Sequence, residues 1–317
     1  WVMQPFGRRM RLRDMTTIPI DADGAIRRST VLARGIHPAV LYRAVEAGEL
    51  QRISSGLYVR AGTKPPDVRH RLMLGVVATS PKEVLSHESA AVLYGLPMLR
   101  PDLREVHLTV PPTAERVYDE FRRCHTAMLP PCDIVELRGH CVTSLERTAV
   151  DVARTSSMGF AGALAVFDAA LRRGADAAGL AERVRRCGSA RLSSAMRHAS
   201  PLADGVGESW CRAQVLGAGL PRPRLKHALL EDGDEEMVQP DMDWSGLVLG
   251  EFDGAARYER VRVPGDTALS ASWRAIARDD RLRERGIRVL RWTWSDLERH
   301  DVAASCRYRL QRAGLIR

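Results

Sequence analysis

The chain has 317 residues, room for two or three domains, and a hydrophobic fraction of 45% that supports real cores. A net charge of +9 points to a polyanionic partner, while an aromatic fraction of 5% argues against a surface that stacks single-stranded bases. No apolar run approaches the roughly 18 residues of a membrane span, so no membrane is expected and the chain is placed in the cytoplasm.

The opening stretch, Trp1 to Arg13, is basic and lacks the apolar core of a signal peptide; Trp at position 1 reads as a trimmed or misannotated start. Residues 14–62 form the first predicted unit. Arg27 to Arg34 reads as a short helix ending at Gly35, where a left-handed glycine suits a helix C-terminus. Pro38 suits the first turn of the next helix, whose apolar residues Ala39, Leu41, Tyr42 and Val45 fall on roughly one face and which ends at Gly48. Two short strands around Ser54-Ser55-Gly56 follow as a hairpin. Helix, turn, helix, hairpin is the order of a winged helix-turn-helix. Residues 1–69 carry twelve Arg or Lys against six Asp or Glu, so most of the excess charge lies here. Arg34 and Arg43 on the helices and Arg52 and Arg60 beside the wing are the candidate DNA contacts. A helical protein-interaction module with a solvated basic face is the alternative reading of the same residues.

Three segments carry a likeness: Ala33-Arg34-Gly35-Ile36, Ala47-Gly48-Glu49-Leu50 and Arg52 to Tyr58. Over about 50 residues the stretch resembles the N-terminal domain of AbiEi-type antitoxins. That resemblance implies a transcriptional regulator of a toxin–antitoxin or phage-defence operon, with double-stranded DNA and a cognate toxin as partners.

Thr63 to Asp67, with Pro65-Pro66, reads as a linker, and residues 68–204 as a mixed α/β middle region. Helices are predicted over Arg69–Thr79, Ser86–Leu93, Phe160–Leu171, Leu180–Val184 and Leu192–His198, with another capped by Ser144. Strands are predicted at Glu105–Val110, Ile134–Leu137 and His140–Thr143. The run Ser86-His87-Glu88-Ser89 does not make a hydrolase triad, because helical neighbours at these spacings cannot and no Gly-x-Ser-x-Gly elbow occurs. His87 is read as packing or capping. Six cysteines include no Cys-x-x-Cys pair; Cys124-His125, Cys132 and His140-Cys141 form the one Cys/His cluster, without zinc spacing, and are read as reduced structural residues.

Residues 205–317 are the third unit. Glu208 opens a helix reaching about Gly217, where an anion suits the N-terminus. Leu225 to Leu230 is a strand, and Met237 to Arg257 reads as two strands joined at Ser245-Gly246. Alternation puts Asp241 and Asp243 on one face of the first, and Glu251 and Asp253 on one face of the second. Carboxylates crowded together need a cation, and a hard divalent ion is the usual one. A helix over Leu269–Arg285 would carry Arg274, Arg278, Arg281 and Arg285 on one face, followed by a strand from Ile287 and a capping box at Ser295 to Glu298.

An upstream Glu208, then Pro240-Asp241, then Gly250-Glu251-Phe252-Asp253-Gly254 resembles the PD-(D/E)XK nucleases, most closely the branch related to very-short-patch-repair endonucleases. The resemblance implies a restriction-endonuclease-like α/β core. Mg²⁺ or Mn²⁺ would be held by Glu208, Asp241, Glu251 and Asp253, and DNA phosphodiesters hydrolysed in defence, toxin–antitoxin or repair. Asp243 is the alternative to Asp241. The family's lysine has no counterpart after Glu251, since the chain's lysines are Lys64, Lys82 and Lys226; Arg257 is the nearest replacement and would stabilise charge on the phosphate. The whole is therefore expected to be α/β, α+β overall: a winged helix, a mixed middle region and a nuclease-like core. A non-catalytic antitoxin on a degenerate nuclease scaffold is the rival reading.

Overall fold

In a computed structural model, residues 18–76, 83–113, 120–229, 239–254 and 280–317 are described. The fold is α+β, and the chain divides into two compact units, one of residues 1–93 with 102–143, the other of 94–101 with 144–317. No helix among the described residues is long and apolar enough to cross a membrane.

The first unit begins with β1 (Ile26–Arg27), α1 (Arg28–Ala33), α2 (Ala39–Glu46), β2 (Leu50–Ser54) and β3 (Leu57–Arg60). Gly35 and Gly48 end the two helices with φ near +70°, the left-handed geometry that a side chain resists. Their inner faces bury Val31, Leu41 and Ala44 against Ile26, Leu50 and Tyr58. The hairpin pairs antiparallel, and β1 pairs with β3 to give the order β1-β3-β2. The helix–turn–helix–hairpin order is thus the one expected, with a two-residue strand added at its edge.

After α3 (Pro66–Leu74) comes a five-stranded sheet with order β6-β5-β4-β8-β7. Its members are β4 (Val84–Leu85), β5 (Val106–Val110), β6 (Arg122–Thr126), β7 (Ile134–Leu137) and β8 (His140–Thr143), with α4 (His87–Tyr94) following β4 directly. Every residue of β5 is buried, and β6 lies parallel to it at the edge. The sequence gives little sign of β6, because Arg122-Arg123-Cys124-His125 has no strand alternation.

The second unit packs α5 (Leu145–Thr155), α6 (Gly159–Arg172), α7 (Ala177–Arg186), α8 (Ala190–His198) and α9 (Val206–Gly217) with a four-stranded sheet. Ser144 caps α5 as expected, accepting from the Arg147 N–H. The sheet order is β12-β11-β10-β9, from β9 (Arg224–Leu225), β10 (Met242–Trp244), β11 (Val248–Phe252) and β12 (Arg288–Trp292). Met242, Trp244, Val248 and Trp292 join Trp210 and Val215 of α9 in one apolar core. Helices α10 (Trp294–Glu298) and α11 (Asp301–Arg312) close the chain. The capping box stands two residues before the expected one: Thr293 and Asp296 bond each other's backbone N–H. The start of the helix expected at Leu269–Arg285, including Arg274 and Arg278, lies outside the described residues, as does the acidic turn at 231–236.

Inside this unit one ion pair is wholly buried. Asp168 of α6 accepts from Arg212 of α9 at 2.6 and 2.7 Å, from Ser209 Oγ at 2.7 Å and from the Ser200 N–H at 2.8 Å. Burial pushes its carboxyl above the ordinary value against the pull of Arg212. The pair locks α6 onto α9, the helix that carries Glu208.

Candidate functional site

The carboxylates of the second unit sit on α9, β10 and β11. The β10–β11 turn takes φ of +58° at Ser245 and +71° at Gly246, the type I′ geometry that suits a tight hairpin. Asp243 holds this turn: its Oδ1 accepts the Gly246 N–H at 2.6 Å, and its Oδ2 meets Arg224 at 2.5 Å and His227 Nδ1 at 3.2 Å. Asp243 is therefore a turn residue with its own cations.

Met242 pairs with Gly250 on one side and with Leu225 on the other. One residue further in each register, Asp241 stands across from both Glu251 and Lys226. Asp241 is buried; its Oδ2 accepts the Phe252 N–H at 2.8 Å and its Oδ1 meets Lys226 Nζ at 2.6 Å. The same ammonium lies 2.9 Å from Asp204 and 3.3 Å from Glu208. Glu208 also accepts the Asp204 N–H at 3.0 Å. Its helix approaches β11 so closely that a Cβ on Gly207 would fall 2.1 Å from the Phe252 ring, which is why glycine precedes Glu208.

The electrostatics follow from this geometry. Burial and the neighbouring Asp241 push the Glu208 carboxyl above its usual range, with Lys226 pulling the other way. Burial works to lower the Lys226 pKa, but Asp241, Glu208 and Asp204 outweigh it and hold the amine above its ordinary value. Cys211, one helical turn from Glu208, has its thiol raised well above the usual range by burial and by both acids, so it is no nucleophile at neutral pH.

Glu251 is buried in β11, but its Oε2 lies 3.2 Å from Arg291 Nε on the parallel neighbour β12. Asp253 is half-buried, and its backbone N–H donates to Trp292. Arg257 lies outside the described residues. The structure thus brings Glu208 and Asp241 together around Lys226 and sets Glu251 beside Arg291. Among the described residues, no three carboxylates of this unit bring ligand oxygens within 4.8 Å of one another. Lys226 is the residue that linear reasoning passed over. It precedes Glu251 in the chain, whereas the lysine sought there follows it; pairing of β9 with β10 delivers it from the other side. The signal available in the sequence was that a lone lysine stands at the start of the strand preceding the acidic hairpin.

In the winged helix, Arg34, Arg43 and Arg60 are exposed. Arg43 projects from α2 beside Tyr42, which is 59% exposed, and its Nε donates to Ala39 O at 3.3 Å. Arg52 is differently engaged: its guanidinium lies 2.9 Å from Glu120 and 5.1 Å from the centre of the Phe121 ring. A second basic surface lies in the other unit, where Arg283, Arg288, Arg309 and Arg312 line a cleft of about 470 Å³ with Tyr308.

Residues 21–61 match the family model described as the AbiEi antitoxin transcriptional regulators. Among solved structures, the RV2827C protein from Mycobacterium tuberculosis aligns over 68% of this chain and 85% of its own, with 14% identity and a TM-score of 0.33. No curated protein matches the chain.

Proposed function

We propose that this chain is a DNA-binding transcriptional regulator of the toxin–antitoxin type, whose winged helix reads a double-stranded operator and whose remaining elements hold a cognate toxin. The observation that carries this reading is a coincidence of position: the stretch matching the AbiEi regulators, 21–61, is the stretch that folds into β1-α1-α2-β2-β3. In this reading α2 enters the major groove, with Tyr42 and Arg43 facing base edges, and Arg34 and Arg60 neutralise phosphates. Arg52 positions the wing through Glu120 and Phe121. The test is binding to DNA from upstream of the gene across a salt series. Arg43→Ala should relax sequence preference, whereas Arg34→Ala and Arg60→Ala should each weaken binding to all sequences and lower the salt slope by about 1. A wild-type chain that binds no duplex at low salt removes the proposal.

Metal-dependent phosphodiester hydrolysis is the second reading. It is favoured by the buried Asp241 and Glu251 and the half-buried Glu208 on the helix-and-hairpin order of PD-(D/E)XK nucleases, and by a lysine at the acids. In that reading Lys226, rather than Arg257, is the cation that meets the phosphate. The donor arrangement does not match Mg²⁺ or Mn²⁺ as it stands, because the ammonium takes the centre of the carboxylates and Glu251 faces Arg291; no step is assigned to a metal. Supercoiled and linear DNA incubated with Mg²⁺, Mn²⁺ or EDTA decides between the readings. Cleavage lost in both Glu251→Ala and Lys226→Met supports the nuclease; tight binding without cleavage in either metal leaves the regulator.

A further inference from the structure

The second constellation of titratable side chains lies in the first unit, on the five-stranded sheet. His87 opens α4, His107 is in β5 and His125 in β6. One ligand nitrogen from each falls within 4.8 Å of the others; His87 and His107 are buried and His125 half-buried. Residues 20 and 18 apart in the chain meet here because β5 pairs with both β4 and β6. No linear zinc spacing announces such a group.

We propose that His87, His107, His125 and Glu88 form a binding site for one zinc ion. Three arguments converge. The donor set is three imidazoles and a carboxylate, the number and kind that four-coordinate Zn²⁺ takes, and one too rich in nitrogen for Mg²⁺ or Ca²⁺. The spacing fits: His125 Nε2 and His107 Nδ1 are 3.3 Å apart, the edge of a tetrahedron with Zn–N of about 2.0–2.1 Å. Without an ion the protons do not suffice. Glu88 Oε2 lies 2.8 Å from the same His107 Nδ1 yet has no well-directed hydrogen bond, and one Nδ1 proton cannot serve Glu88 and His125 together. A cation among them satisfies both.

Outer contacts already orient the group. Ser86 Oγ sits 2.9 Å from His87 Nδ1, which makes Nε2 the donor of that ring. His87 takes a left-handed φ of +51°; its ring lies stacked on that of His125 with centres 3.6 Å apart, so one of the two rings must turn out of the stack for both to meet one ion. The backbone N–H of His107 donates to Ser89 Oγ at 2.7 Å, and that hydroxyl also meets His70 Nε2 at 2.9 Å. The ion would tie the start of α4 to β5 and to the edge strand β6. The site uses neither the basic face of the winged helix nor the acids around Lys226, so it stands whichever function is correct.

The experiment uses the full chain stripped with a chelator, then titrated with Zn²⁺ and separately with Co²⁺. Expected are one equivalent of Zn²⁺, a raised melting temperature, and visible cobalt bands of a four-coordinate nitrogen and oxygen site without thiolate-to-cobalt charge transfer. His125→Asn and Glu88→Gln should each weaken binding at least about tenfold and lose the thermal shift, while His37→Asn, an exposed histidine of the winged helix, should bind as wild type. Circular dichroism of the metal-free variants identifies any that fail to fold, and the other then carries the test. Absence of stoichiometric binding, a thiolate charge-transfer band, or affinity unchanged in the folded variants would overturn the site.

Discussion

The two units bury polar chemistry in opposite ways. Among the described residues of the second, buried acids sit on cations: Asp168 on Arg212, Asp241 on the Lys226 it shares with Asp204 and Glu208, Asp243 on Arg224, and Glu251 on Arg291. In the first, buried imidazoles crowd together, with Glu88 the acid among them. Desolvating an ion costs several kcal/mol, which a nearby opposite charge can offset; neutral imidazoles avoid most of that cost by staying unprotonated. A set of acids that already holds its counter-ions is a framework first and a metal cage only after those ion pairs rearrange. Among the described residues of the first unit no lysine or arginine occupies the centre of the histidine set, so a metal would have no such ion pair to displace.

The contrast can be broken most forcefully at Asp168–Arg212. Removing one partner, as in Arg212→Leu, strands a buried charge and should cost about 3–5 kcal/mol, whereas the double change Asp168→Leu with Arg212→Leu should recover much of it; urea unfolding of the three variants measures both. The imidazole side gives a pH signature. Burial holds His70 at about 4, against 6.5 ordinarily. The unfolded chain therefore takes up the proton first. Stability from this residue is complete above pH 6.5 and falls as pH drops to 4, by about 3 kcal/mol in all. Denaturation of the chelator-treated protein across that range should show the slope, and His70→Gln should flatten it.

A smaller effect is expected at the acids. Lys226→Met removes the ammonium shared by Asp204, Glu208 and Asp241 and should destabilise the chain by about 2 kcal/mol, while raising the Glu208 pKa further, readable by carboxylate NMR. Operator affinity should be unchanged if this cluster is framework. Smallest is Arg43→Ala on the exposed face of α2. It should alter stability by no more than about 0.5 kcal/mol, yet cost about 1–3 kcal/mol of binding at the preferred sequence, checked by paired melting and DNA titrations.

Much of the architecture was legible without coordinates because it is local. Gly35, Pro38 and Gly48 bound the helices of the winged unit, Ser144 caps α5, and Ser245-Gly246 turns the hairpin; each acts within a few residues of itself. Alternation groups Asp241 with Asp243 and Glu251 with Asp253, but it does not say which cation each acid meets: Asp241 has Lys226, Asp243 has Arg224 and Glu251 has Arg291. The edge strand β6 escaped notice because pairing with β5, not its own pattern, makes it a strand. The capping box sits at Thr293 and Asp296, two residues before Ser295, because both residues offer a hydroxyl and only the direction in which β12 enters α10 selects one.

What the sequence determined by itself is the order of elements and the identity of the charged residues, since propensity and periodicity are properties of short stretches. Which charges meet was decided by tertiary structure alone. Lys226 lies 15 residues before Asp241, Arg291 lies 40 after Glu251, and the three histidines span 38 positions. Strand pairing brings them within a few ångströms, and no local rule encodes a separation of that kind.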